Sequence, residues 1–284
     1  MKQPFFIVGT GRCGSTLLYN ILRAHDKVAL TNESRVIDFL HFMTSFAEVP
    51  SPEARMFPLL EEVKLHGLIR SQYLERFNGI LVRHSVQILE EFYAEEFADR
   101  DFTHWGDKLP SALAAQVMAT VYPNTKYIVL MRDPRDFVAS ARAYTRRPQV
   151  RQKSPFFIGG MTLQEQAQQW LNTYRGCLEH LQQPLLLRYE DLVAEPLKES
   201  RRVLDYLGLD LQVDQIAKMT TRREFNGHGT AKSPEKSVGR WSADLDEDEI
   251  ATIESVCGDF MARHGYELTT APASFPVESE FPAS

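Results

Sequence analysis

The sequence predicts an α/β fold built on a central parallel sheet, and three observations carry that expectation. A short apolar run near the N-terminus stops at a glycine-rich turn that leads into a helical repeat. A second apolar run in the middle of the chain repeats this strand, turn and helix order. The composition is that of a folded globular protein, with 284 residues, 43% hydrophobic and 25% charged. Strands that alternate with helices imply parallel pairing, because each helix carries the chain back to start the next strand in the same direction.

Phe5 to Val8 is the first strand, apolar and partly β-branched, and Leu17, Leu18, Ile21 and Leu22 then recur at helical spacing. Lys126 to Met131 reads as a strand buried on both faces, followed by R-D-P-R-D and a helix. Thr162 to Glu165 is a capping-box signature, after which Leu163, Ala167, Trp170, Leu171, Tyr174, Leu178 and Leu181 mark one helical face. Leu185 to Leu187 is a third strand. A helix over Leu197 to Leu207 starts after Pro196 and stops at Gly208. Asp246 to His264 is another, acidic in its first turn and basic at its end, as the helix dipole favours. Residues 1–268 read as one domain, and the Pro- and Ser-rich 269–284 as a loosely attached tail.

Several function classes are excluded or disfavoured. With 32 Lys and Arg against 38 Asp and Glu, the formal charge is −6, so no global basic field is available for nucleic acid. Any anion must be held by a local cluster of donors, and the expected partner is small. Cys13, Cys177 and Cys257 are odd in number and far apart, and the eight histidines include no H-x-x-x-H pair. Neither a disulfide framework nor a metal site is predicted. The opening apolar run is too short for a leader or a membrane span, which makes a cytoplasmic location the expectation. Nothing in the pattern decides between monomer and homodimer.

The most informative segment is Gly9-Thr-Gly-Arg-Cys-Gly-Ser-Thr16, placed between the first strand and the first helix. Backbone N–H groups and the helix dipole favour an anion there. A nucleoside-triphosphate loop reads G-x-x-x-x-G-K-[ST]. Gly9, Gly14 and Thr16 fit that pattern, but Ser15 stands where the phosphate-reaching lysine belongs. The cation is Arg12 instead, which suits a nucleotide without a γ-phosphate. A P-loop small-molecule kinase stays open as an alternative, as does a nucleotide-binding regulatory protein without turnover.

The R-C-G-S-T of Arg12 to Thr16 resembles the phosphosulfate loop of the sulfotransferases that use 3′-phosphoadenosine 5′-phosphosulfate (PAPS). The resemblance implies a three-layer α/β sandwich around the parallel sheet, with the 5′-phosphosulfate held by Arg12, Cys13, Gly14, Ser15, Thr16 and Leu17. Arg132-Asp-Pro-Arg-Asp-Phe-Val-Ala-Ser140 is similar to the family's 3′-phosphate element, in which Arg132 and Ser140 would grip that phosphate. Leu187-Arg-Tyr-Glu-Asp-Leu192 resembles a strand-end motif whose tyrosine, here Tyr189, lies near the adenine. Val238-Gly-Arg-Trp241 resembles a late element that closes over the 3′-phosphate, with Gly239, Lys236 and Arg240 as its members. Pro234-Glu235-Lys236 stands here where the cytosolic enzymes carry R-K-G.

The same resemblance assigns the chemistry, which is sulfuryl transfer to an acceptor hydroxyl or amine without a metal. Arg12 and Lys108 are the candidate cations for the leaving oxygen. Lys108 lies in Gly106-Asp-Lys-Leu-Pro110, similar to a family segment whose lysine contacts the sulfuryl group. Ala24-His-Asp-Lys-Val28 and Asn32-Glu-Ser-Arg-Val36 resemble motifs of the tyrosylprotein branch, and they place the base on Glu33. His104 is the runner-up, because imidazole titrates near neutral pH. The acceptor is a small molecule, a carbohydrate or a peptide. Its walls are expected among residues 37–100, where Phe39, His41, Phe42, Phe46, Tyr73, Phe77, His84, Phe92 and Tyr93 lie, and residues 146–160 read as a basic lid or a solvated loop.

Overall fold

A computed structural model describes residues 2–34, 36–37, 67–109, 118–119, 122, 125–147, 161–211 and 229–269. In chain order its elements are β1 (Gln3–Val8), α1 (Ser15–Arg23), β2 (Val28–Asn32), α2 (Gly67–Glu96), β3 (His104–Leu109), β4 (Lys126–Met131), α3 (Pro134–Thr145), α4 (Leu163–His180), β5 (Leu185–Arg188), α5 (Tyr189–Ala194), α6 (Pro196–Leu207), α7 (Trp241–Asp244) and α8 (Glu247–Arg263). A 3₁₀ turn at Glu235–Ser237 precedes α7. Chain contacts group these into two compact units, residues 1–130 with 176–222 and residues 131–175 with 223–284.

The first unit carries a five-stranded sheet in the order β2-β3-β1-β4-β5. β1 runs parallel to β3 and β4, and β3 parallel to β2. Phe5 to Val8 are buried without a break, as are Tyr127 to Met131. A strand with no exposed face is a strand covered on both sides, which makes this the middle layer of a sandwich. Leu17, Leu18, Ile21 and Leu22, the predicted helical face of α1, are all buried. α6 spans Pro196–Leu207 and ends on Gly208, whose φ of 82° lets its amide reach the Leu204 carbonyl at 2.8 Å.

The apolar pattern predicts three of these five strands; β2 and β3 are not in it. The reason for β3 is visible in its sequence, His-Trp-Gly-Asp-Lys-Leu, where polar residues sit among apolar ones and yet all six are buried. Polar partners satisfy it: the Tyr93 hydroxyl of α2 donates to the Gly106 carbonyl at 2.8 Å and meets Thr31 Oγ1 at 2.7 Å. Glycine is required at 106, because a Cβ there would lie 1.7 Å from the Phe5 carbonyl oxygen. Of the aromatics expected to wall the acceptor site, Phe39, His41, Phe42, Phe46 and the side chains of Tyr73 and Phe77 lie outside the described residues. Tyr93 is core and His84 is exposed.

In the second unit, Asp133 caps α3 by accepting the Arg135 amide at 2.8 Å, with Pro134 in the first turn. α8 has a full capping box between Asp246 and Glu249. Thr162 and Glu165 cap α4 reciprocally, Thr162 N donating to Glu165 Oε2 at 2.7 Å and Glu165 N to Thr162 Oγ1 at 3.2 Å. Trp170 of α4 packs edge-on against Phe260 of α8, ring centres 5.7 Å apart. Most of the expected lid, residues 148–160, and the tail beyond Thr269 lie outside the described residues. Among the described residues no helix is long and apolar enough to cross a membrane.

Candidate active site

The glycine-rich turn of the first unit joins the carboxyl end of β1 to α1. Two of its residues are left-handed, Arg12 at φ 68° and Gly14 at φ 90°. Residues in that region turn backbone amides into a concave anion seat. For Gly14 the conformation is free, whereas for Arg12 it costs about 1–2 kcal/mol, strain of the kind that persists where function requires it. Gly14 is also the N-cap of α1. A Cβ on it would lie 2.2 Å from two ring carbons of Tyr189. The Tyr189 ring, carried on the first residue of α5, therefore packs directly against the loop at Gly14. Cys13, Ser15 and Leu17 are buried, Thr16 half-buried.

Glu33 follows β2 directly and is left-handed as well, at φ 54°. Lys108 of β3 points its Nζ to Glu33 Oε1 at 2.6 Å; the lysine side chain is 6% exposed and the glutamate 36%. Lys108 sits beside Asn32 on one neighbouring strand and beside Ile7 on the other. The phosphate-type loop, Glu33 and Lys108 thus leave from the carboxyl ends of three adjacent parallel strands, the edge at which open α/β sheets bind ligands. Asp107, fully buried, accepts Ser34 Oγ at 2.6 Å, the Ser34 amide at 3.1 Å and the Lys108 amide at 2.8 Å. Burial pushes its carboxyl above the usual range, and these hydrogen bonds oppose the shift. A cavity of about 470 Å³ opens beside Asn32 and Ser34, walled by Tyr19 and Arg23 of α1 and by Phe92, Phe97 and Arg100.

His104, the runner-up for the base in the sequence reading, is not brought into this group. It opens β3, beside Gln3 and Val28, so about 13 Å of strand separates it from Lys108. Its Nε2 meets the Leu207 carbonyl at 3.2 Å and its Nδ1 meets Thr103 Oγ1 at 2.9 Å. Burial lowers its pKa. These contacts hold His104 at the opposite end of the sheet from Glu33.

The second unit gathers the residues expected around the 3′-phosphate. Arg132, buried, donates to the Ser237 carbonyl and stands 3.9 Å from the Asp136 carboxylate. Asp136 accepts the Gly239 amide at 2.8 Å and the Trp241 amide at 3.0 Å, which fixes the Gly239-Arg240-Trp241 turn. Gly239 has φ 68°. Burial raises the Asp136 carboxyl, against the pull of Arg132. Ser140 and Arg240 converge on one hydroxyl: Thr230 Oγ1 lies 3.0 Å from Ser140 Oγ and accepts Arg240 Nη1 at 3.0 Å. Arg240 also pairs with Asp244 at 2.5 Å. Lys236 is exposed on the 3₁₀ turn. Arg135 chelates Asp133, reaches Glu254 Oε1 at 2.8 Å and lies 4.0 Å above the Trp241 ring.

Four contributors are given no role by the sequence reading: Asp107, Thr230, Asp136 and Arg135. A signal existed for three of them. Asp107 stands inside an otherwise buried strand, and Asp136 and Arg135 open a helix that buries its whole first half. Charged residues in such positions are retained where partners hold them. Thr230 has no local signal, since only the fold sets it beside Ser140.

A family profile described as the sulfotransferase family matches residues 4–213, well over half of the chain. Human carbohydrate sulfotransferase 1 is 26% identical over 168 residues, covering 52% of this chain and 40% of that protein. Mouse carbohydrate sulfotransferase 2 is 33% identical over 98 residues, 31% of this chain and 18% of that one. The chain thus spans less than half the length of these curated relatives. Among solved structures, the sulfotransferase domain from the curacin biosynthetic pathway superposes with a TM-score of 0.56 at 18% identity, over 94% of this chain and 99% of the other. A mouse sulfotransferase complexed with PAP gives 0.52 at 13% identity, over 92% and 84%. These likenesses show the α/β fold, and with the family match over residues 4–213 the chain belongs to the sulfotransferase family.

Proposed function

We propose that this chain transfers the sulfuryl group of PAPS to a hydroxyl or amine of a carbohydrate or other small acceptor. The observation that carries the reading is the Glu33–Lys108 pair at the strand edge from which the Arg12–Thr16 loop also departs. Bound at such a loop, the nucleotide supplies a sulfuryl group already bonded to a good leaving oxygen. The loop amides and Arg12 face the 5′ end, with a glycine at 14 that leaves room for nothing larger beside Tyr189. In the second unit, Arg132, Ser140 and the Gly239 turn are assigned the 3′-phosphate, supported by their convergence around Asp136 and Thr230. Lys236 stays a solvent-side cation in this assignment.

Transfer of this kind has a loose transition state, so the protein's work is alignment and neutralisation of developing charge. The Glu33 carboxylate takes the proton of the acceptor hydroxyl as its oxygen bonds to sulfur. Lys108 and Arg12 stabilise the phosphate oxygen that keeps the electron pair of the breaking bond. The acceptor is assigned to the Glu33 side of the strand edge, next to the cavity beside Asn32 and Ser34, whose walls combine aromatic rings with Arg23, Arg100 and Glu96. Calorimetric titration with adenosine 3′,5′-bisphosphate (PAP), ATP and ADP, each with and without magnesium, tests the reading. Micromolar, metal-independent binding of the bisphosphate alone is expected; preference for ATP with magnesium would replace the proposal with a kinase.

A further inference from the structure

We infer that Asp107 is a positioning residue for the Glu33–Lys108 pair, a role that rests on the sulfuryl-transfer reading above. Successive side chains of a strand point to opposite faces, so Asp107 and Lys108 leave β3 in opposite directions. Each nevertheless ends on the segment that follows β2: Lys108 Nζ on Glu33 Oε1 at 2.6 Å, and Asp107 Oδ2 on the amide and hydroxyl of Ser34 at 3.1 and 2.6 Å. The second carboxylate oxygen, Oδ1, accepts the Lys108 amide at 2.8 Å. One buried carboxylate therefore grips the residue after the base and the backbone of the base's partner.

The grip has a purpose that local sequence does not supply. Glu33 is held at φ 54°, a conformation unfavourable to any residue with a Cβ and stable only when its surroundings over-determine it. Two hydrogen bonds to the next residue do that, since they fix where the chain goes after Glu33. Just upstream, Tyr93 and Thr31 tie β2 to the Gly106 carbonyl. The turn is thus fastened on both sides of the base, and alignment of this kind is what an in-line transfer needs. Asp107 touches neither reacting group, so its contribution is to geometry alone.

The test compares Asp107→Asn and Ser34→Ala with wild type, using whichever of 4-nitrophenol, N-acetylglucosamine or tyrosine amide the wild type sulfates from PAPS. The asparagine keeps the size but presents one acceptor oxygen instead of two. About a 10- to 100-fold fall in kcat is expected, with KM for PAPS and affinity for PAP within about twofold of wild type. Ser34→Ala should fall in the same direction by less. In a Glu33→Gln background, Asp107→Asn should cost less than about threefold more, because the group it positions is gone. An unchanged kcat, an equal loss of kcat and PAP affinity, or fully additive losses in the cycle would overturn the inference. Should Asp107→Asn fail to fold, Ser34→Ala decides, and an unchanged kcat there overturns it. A wild type that transfers nothing from PAPS sinks the functional reading itself, which separates the two failures.

Discussion

Lys108 Nζ lies 2.6 Å from Glu33 Oε1, and the pair is anchored where Asn32 and Lys108 sit side by side on adjacent parallel strands. A buried ammonium against a half-exposed carboxylate would, in the proposed reaction, keep the proton-accepting oxygen in place and at the same time hold a cation ready for the leaving group. Removing the charge from Glu33 separates these roles. Glu33→Gln should lower turnover by roughly 10²- to 10⁴-fold while affinity for PAP stays near wild type, read by single-turnover kinetics and calorimetry. Wild-type turnover in that variant would move the base elsewhere.

Arg132 is held by the Ser237 carbonyl and Asp136, and it is a buried cation of the second unit's cluster. Arg132→Ala should weaken PAP binding by about 1.5–3 kcal/mol, the loss of a hydrogen bond to a charged group, or about 10- to 150-fold in Kd. Binding of ADP, which lacks the 3′-phosphate, should respond less. Equal losses for both ligands would remove the 3′-phosphate assignment.

Gly14 faces the Tyr189 ring with no room for a methyl group, at a φ of 90°. Gly14→Ala therefore carries two penalties, about 1–2 kcal/mol for the left-handed backbone and a steric displacement of the ring. The variant should melt lower and bind PAP more weakly. Tyr189→Ala removes the steric part only, so the double variant should recover part of the melting temperature relative to the sum of the single losses. Strict additivity in a thermal-melt cycle would show that ring and loop are not in contact.

His104 is buried, and its pKa lies below the ordinary 6.5 because burial penalises the cation. As pH falls below 6.5 the unfolded chain takes up a proton before the folded one does, so stability is full above 6.5 and declines toward and through the lowered folded value. His104→Gln should flatten that acid limb of the melting temperature between about pH 5 and 7. Its kcat should stay within about threefold of wild type at pH 7.5, in contrast to Glu33→Gln. A large loss of kcat without a loss of stability would restore His104 as a candidate base.

Asp136 carries the opposite sign. Its carboxyl is raised above 3.8, mainly by burial, so the folded state holds the proton more tightly than the unfolded chain and stability drops as pH rises from that value through the raised one. Asp136→Asn abolishes this drop. The melting temperature of the variant minus that of wild type should become more positive from about pH 4 to pH 6, although the variant binds PAP less well because the Gly239 and Trp241 amides lose a charged acceptor. A difference that does not change with pH would mean that Asp136 ionises as it does in water.

Much of the fold is written locally. Phe5 to Val8, Lys126 to Met131 and Leu185 to Leu187 form strands because unbroken apolar runs suit a sheet covered on both faces. Thr162, Pro196, Gly208 and Asp246 bound helices because capping and backbone preferences act within a few residues. The loop at Arg12–Thr16 is legible for the same reason, since its glycine and its place between strand and helix are local facts. What tertiary structure alone decided is which polar residues would be buried together. β3 has no apolar run, and it is a strand because Tyr93, Ser34 and Glu33 arrive from elsewhere to satisfy Gly106, Asp107 and Lys108. His104 and Lys108 sit four residues apart in the chain, and only the parallel register puts one at the far end of the sheet and the other at the edge that carries Glu33. Hydrogen bonds and ion pairs across long sequence separation leave no periodic trace in a chain, so the residues that position a site are read from the fold, even where the residues proposed for its chemistry are named by the sequence.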